Sequence, residues 1–78
     1  FPNPFNPLAN IKVDINYSGI IDIVISDIIG RIVLSYKMEV SAGTHQFEWD
    51  ASKFSSGIYF VRLSYGTHIK TQKALLVK

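Results

Sequence analysis

The chain has 78 residues, 47% of them hydrophobic and 18% charged, with a net charge of +2 and no cysteine. That length holds one small domain, the apolar fraction excludes general disorder, and the missing thiols exclude disulfide staples and thiolate metal sites. No apolar run is long enough to span a bilayer as a helix, and no leader or initiator methionine is present, so the chain reads as a processed piece that takes its targeting from elsewhere.

All three prolines fall within Phe-Pro-Asn-Pro-Phe-Asn-Pro at residues 1–7. Each fixes its own φ and pushes the preceding residue toward extended geometry, so the segment can neither start a helix nor sit in a central strand. Two phenylalanines make it too apolar for a solvated spacer. It is expected to be a stiff lead-in arm, residues 1–8, packed on the domain that follows. The arm marks a junction with something larger.

Period-two alternation then dominates. Ile11, Val13, Ile15 and Tyr17 alternate with polar residues as a half-buried strand, broken by Ser18-Gly19. Ile21, Ile23 and Ile25 form a second, β-branched strand, and Asp27-Ile28-Ile29-Gly30 reads as a turn capped by Asp27. Residues 31–36 make a third strand with apolar residues on both faces, and residues 37–40 add a short one. Ser41-Ala42-Gly43 breaks the chain again. His45, Phe47 and Trp49 then point to one side, opposite Gln46, Glu48 and Asp50. Residues 51–57 connect to a strand with Tyr59, Val61 and Leu63 inward and Phe60 and Arg62 outward. Tyr65-Gly66 turns the chain into a final strand or pair of strands.

About seven short strands with regular turn signals predict an all-β, antiparallel β-sandwich occupying residues 1–78 as a single domain. Trp49, Phe47, Tyr59 and the isoleucine strand are its expected core. The first fifty residues hold all six acids and three bases, for a net −3; the remainder holds five bases and no acid, for +5. Lysines on an edge strand, blocking edge-to-edge pairing, account for this asymmetry. A basic face stacking nucleic acid on Phe60 and Tyr65 is the weaker alternative, diluted by neighbouring acids, and no nucleic-acid partner is assigned.

The residues that carry chemistry are sparse. His45 and His68 stand in no metal-ligand spacing, the first reading as a rim histidine and the second as a solvated one. Asp22 and Asp27 are five residues apart on opposite strand faces, unsuited to a glycosidase pair. The oxygen ladder of a calcium loop is missing around Asp27, and no serine has a nucleophile-elbow context. Asn16-Tyr17-Ser18 matches the short N-glycosylation pattern, which is common by chance. No enzyme activity and no cofactor are read from the sequence.

Five stretches nevertheless occur together in one order: residues 1–7; Ile-Ser-Asp-Ile-Ile-Gly-Arg (25–31); Ala-Gly-Thr-His-Gln-Phe-Glu-Trp-Asp (42–50); Ser-Ser-Gly-Ile-Tyr-Phe-Val-Arg-Leu (55–63); and Gln-Lys-Ala-Leu-Leu-Val-Lys (72–78). Over its whole length the chain resembles the type A C-terminal sorting domain of the bacterial type IX secretion system. It is also similar to the related immunoglobulin-like domain of the flagellar hook-capping protein. The resemblance implies an immunoglobulin-like sandwich serving as the secretion signal of a larger cargo, secreted or displayed on the cell surface after periplasmic transit. Its implied partners are the type IX translocon, a sortase-like protease and the preceding cargo domain, with no membrane span of its own. The implied recognition residues are Gly57, Ile58 and Tyr59 with Lys73, Leu75, Leu76, Val77 and Lys78, and the stop at Lys78 suits a natural C-terminus. A structural or binding accessory domain of an extracellular enzyme, or a hook-cap-like assembly domain, is the alternative.

The sequence departs from the family pattern at Leu8-Ala9-Asn10, at Ala74 where methionine is common, and at Ile20, Val24, Ile32 and Leu34, where Lys, Glu or Ala is usual. If those four are exposed, the outer face is unusually apolar and is expected to cover a partner or the preceding domain.

Overall fold

The computed structural model describes residues 8–77. Six antiparallel strands and no helix are present among them: β1 (Leu8–Ile15), β2 (Gly19–Asp27), β3 (Ile32–Val40), β4 (Gly43–Asp50), β5 (Gly57–Tyr65) and β6 (His68–Leu76). They form two layers, a pair β1-β4 and a four-stranded sheet ordered β3-β2-β5-β6. The expected sandwich is the observed architecture, with six strands in place of about seven. Residues 31–40 do not split into two strands. Residues 32–40 run as the single strand β3, with Arg31 before it, and a register shift against β2 at Ile25/Ser26 lets both of its faces carry apolar residues.

Alternation explains the core. Ile21, Ile23 and Ile25 of β2 lie opposite Tyr65, Leu63 and Val61 of β5, so one face of the central pair is wholly apolar and buried. Ile11, Ile15, Phe47 and Trp49 close over it from the β1-β4 pair. Each fully buried aliphatic side chain, such as Ile23 or Val61, contributes about 1.5–3 kcal/mol. Ser64 and Arg62, and likewise Asp22 and Val24, point to the outer face. There Asp22 meets Lys37 across the strand pair at 3.7 Å.

Of the four unusual apolar positions, Ile20 and Ile32 are exposed and Val24 is half-buried. Leu34 is not on the outer face: it pairs with Ile25 and packs against the core, because β3 shifts register beyond that pair. Tyr17 also differs from the sequence reading. The strand ends at Ile15, and Tyr17 stands exposed in the following turn, its ring 5.0 Å from that of Tyr65 and its N–H donating to the Tyr65 hydroxyl. His45 is a half-buried rim residue whose Nε2 lies 2.6 Å from the Ser41 carbonyl, and His68 is exposed against the Tyr65 ring.

The edge strand β6 presents exposed Lys70 and Lys73, as the guarded-edge reading requires, and Lys70 Nζ ties back to the Lys12 carbonyl at 3.1 Å. The β5–β6 turn is Gly66-Thr67. Gly66 takes φ 57°, and a Cβ there would stand 3.0 Å from the Tyr17 hydroxyl, so only glycine fits without displacement.

Asp27 caps the β2–β3 turn as its sequence position suggested. Its Oδ1 accepts from the N–H groups of Ile29 and Arg31, and its Oδ2 from Arg31 Nε at 2.8 Å. Partial desolvation works against ionisation, but the Arg31 N–H and guanidinium and the Ile29 N–H outweigh it and hold the carboxyl below its ordinary value. A depressed folded-state pKa gives stabilisation that is complete above the unfolded value, near pH 4, and lost as pH falls through the folded one. Asp27→Asn is therefore expected to flatten the acid limb of stability. Urea midpoints taken from about pH 5 to about pH 2 check this; superimposable limbs would contradict it.

Candidate functional site

The residues singled out by sequence occupy one end of the four-stranded sheet. Register places Gly57 opposite Leu76, Ile58 opposite Leu75, and Phe60 opposite Lys73. Two stretches distant in sequence are thus neighbouring strands of one antiparallel pair, joined through the Gly66-Thr67 turn. Pleating then divides them. Tyr59 and Leu76 face inward and belong to the core, while Leu75 is 70% exposed, Val77 is 59% exposed, and Lys73 is also exposed. Ile58 is half-buried beside Leu75 on the outer face. Tyr59 and Leu76 hold the site in place; Ile58, Lys73, Leu75 and Val77 are what it presents. Lys78 lies outside the described residues.

Sequence reading missed the ground next to this strand pair. Asp27 pairs with Tyr59 across β2 and β5, which sets the Asp27 turn beside the start of β5. The loop from β4 to β5 closes the other side. Phe54 donates its N–H to the Ala51 carbonyl, and its ring lies 5.4 Å from Trp49 and 6.4 Å from Tyr59. The Tyr59 hydroxyl donates to the Ser55 carbonyl at 2.7 Å. Between turn and loop lies an open cleft of about 490 Å³, whose walls include Ile28, Ile29, Val33, Phe54, Ile58 and Tyr59. The signal in sequence was the pair of neighbouring isoleucines in a turn, a costly place for aliphatic side chains.

Charge in the cleft comes from Asp27, Arg31 and Lys53. Asp27 and Arg31 neutralise each other. Asp50, at the base of the adjacent loop, is held below its ordinary value by hydrogen bonds from Ser52, with Lys53 adding to them against slight desolvation. Neither histidine lines the cleft, and no cluster of three or more His, Asp or Glu capable of holding a metal occurs among the described residues. The site offers aliphatic and aromatic surface with peptide hydrogen bonding at an edge strand.

Over residues 1–78 the chain matches the family described as the secretion system C-terminal sorting domain. The chain belongs to that family. A sorting domain of this kind serves type IX secretion, which implies a cargo protein, secretion machinery and export to the cell surface or medium. No curated protein and no solved structure matches the chain. Among the described residues of this sorting domain, no helix is long and apolar enough to cross a membrane.

Proposed function

We propose that this sorting domain is the noncatalytic export signal of a larger cargo, carrying it through the type IX outer-membrane translocon, with a sortase-like protease acting on the junction. The recognised surface is the outer side of the β5–β6 end: Ile58, Lys73, Leu75 and Val77, with Gly57 opening β5 and Lys78 following. The carrying observation is that the two stretches implied by the family resemblance are hydrogen-bonded neighbours, with large aliphatic side chains left in solvent. Side chains as exposed as Leu75 and Val77 bury little apolar area on folding and so contribute little to the stability of the domain itself.

Leu75→Ser with Val77→Ser is expected to leave stability within about 0.5 kcal/mol, because both side chains are exposed. The same pair is expected to abolish delivery of the cargo. Ile69→Ser is the control: Ile69 is 68% exposed on the same strand but at the opposite end. Surface labelling of cargo in whole cells separates the outcomes. Equal delivery by all variants would overturn the assignment, and normal delivery with lost adhesion would favour the accessory-domain reading.

A further inference from the structure

The two layers differ in width. At about 4.8 Å between neighbouring strands, four strands span about 14 Å between outer axes and two span about 5 Å. The β1-β4 pair therefore leaves part of the inward face of the larger sheet uncovered. β1 lies toward β6: Lys70 of β6 reaches the Lys12 carbonyl, and Val13 and Ile15 line a slot with Ile69. β4 is then the strand nearer β3, to which only Ser41 and Ala42 join it.

The two uncovered margins are unlike. On β6 the inward positions, opposite Tyr65, Leu63 and Val61, are His68, Lys70 and Gln72, polar side chains that tolerate water. On β3 the inward positions, opposite Ile21, Ile23 and Ile25, are Met38, Tyr36 and Leu34. Ile21 and Ile23 are fully buried, whereas Met38 and Tyr36, facing the same way, are 38% and 36% exposed. Beside this stripe runs the second edge of β4, which has one ladder neighbour among the described residues. β4 contains neither the lysine nor the proline that would guard such an edge.

Apolar side chains next to unpaired backbone donors and acceptors call for an extended strand, which satisfies both at once. Charge sets its composition. Glu48 and Asp50 are exposed on the outward face of β4, and Glu48 belongs to no ion pair among the described residues. Opposite charges across a strand pair stabilise it, and like charges do the reverse.

We propose that the β4 edge takes up an extended segment of another protein, about five or six residues long, with apolar side chains inward and Lys or Arg outward. Its backbone continues the β1-β4 ladder, its apolar side chains cover Tyr36 and Met38, and its cations face Glu48 and Asp50. The β4 edges of two copies cannot pair with each other, because β3 projects beyond β4 in each and the β3 strands would meet first. The inference does not rest on the export reading.

NMR of the full chain titrated with synthetic hexapeptides tests it, aided by the single methionine, which gives one methyl signal. A peptide alternating valine and lysine is expected to move the Met38 methyl signal and to slow exchange of β4 amides. Its counterpart alternating valine and glutamate is expected to bind about tenfold more weakly. The lysine peptide with every backbone nitrogen methylated is expected not to bind, since it cannot donate to the ladder. Glu48→Lys, at an exposed position, is expected to remove the preference between the two charged peptides. Met38→Lys, which guards the stripe, is expected to block both, and Glu48→Lys carries the test if that variant does not fold. Equal binding of the two charged peptides to the wild type, binding of the methylated one, or signals that move only on β6 would each overturn the proposal. So would no binding at millimolar peptide, or a Met38 signal that moves on dilution without peptide, which would assign the stripe to a second copy.

Discussion

Trp49→Ala is expected to cost about 3–5 kcal/mol, the range for removing a buried aromatic side chain without refilling its space. Trp49 is 4% exposed, and its ring is shared between Phe54 and Tyr59, so its loss loosens the β4–β5 loop as well as the core. Folded domains are stable by only about 5–15 kcal/mol, and small cores sit at the low end of that range. The variant is therefore expected to lose most of its cooperative urea transition at 25 °C. Trp49→Phe retains ring contacts and removes the buried indole donor, so it is expected to cost clearly less. A Trp49→Ala midpoint equal to that of the wild type would show that the cleft end of the sandwich is not part of the cooperative core.

Removing residues 70–78 is expected to have the largest effect on function. The deletion takes most of β6, unpairs the outer edge of β5 from Gly57 to Leu63, and withdraws Leu76 from the core. It removes Leu75 and Val77 at the same time. The cargo is expected to fold and remain active in the periplasm, because its own core lies elsewhere. The deletion merges lost recognition with a damaged sheet, and the Leu75→Ser with Val77→Ser pair separates them. Loss of delivery in both variants, with stability kept in the second, assigns the signal to the exposed side chains. Normal surface delivery of the truncated protein would refute the sorting role of this segment.

Much of the fold is legible in the sequence because three strands alternate cleanly. Ile21, Ile23 and Ile25, then Phe47 and Trp49, then Tyr59, Val61 and Leu63 each keep one parity, and each set is buried. The two-strand reading of residues 31–40 failed because pairing with β2 runs without a break through Tyr36 and Lys37, and the parity there was obscured by a register shift between Ile32 and Leu34. Leu34 was misplaced for the same reason. In the site, the Tyr65-Gly66 turn already implied that the β5 start and the β6 end lie together. The run Leu75-Leu76-Val77 could not show which residue is buried, since three consecutive apolar side chains fit either parity. The cleft was illegible because it is built by non-local pairing: Asp27 meets Tyr59 only once β2 and β5 are aligned.

The central claim is that this sandwich is a sorting signal whose working surface is the β5–β6 end. Its most direct test is transfer. A periplasmic reporter enzyme joined to residues 1–78, expressed in a bacterium with a functional type IX system, is followed by reporter activity in the medium and on washed cells. The account predicts export of the reporter with residues 1–78 and retention in the periplasm with residues 1–69. Equal periplasmic retention of a folded 1–78 fusion and the 1–69 fusion would contradict it.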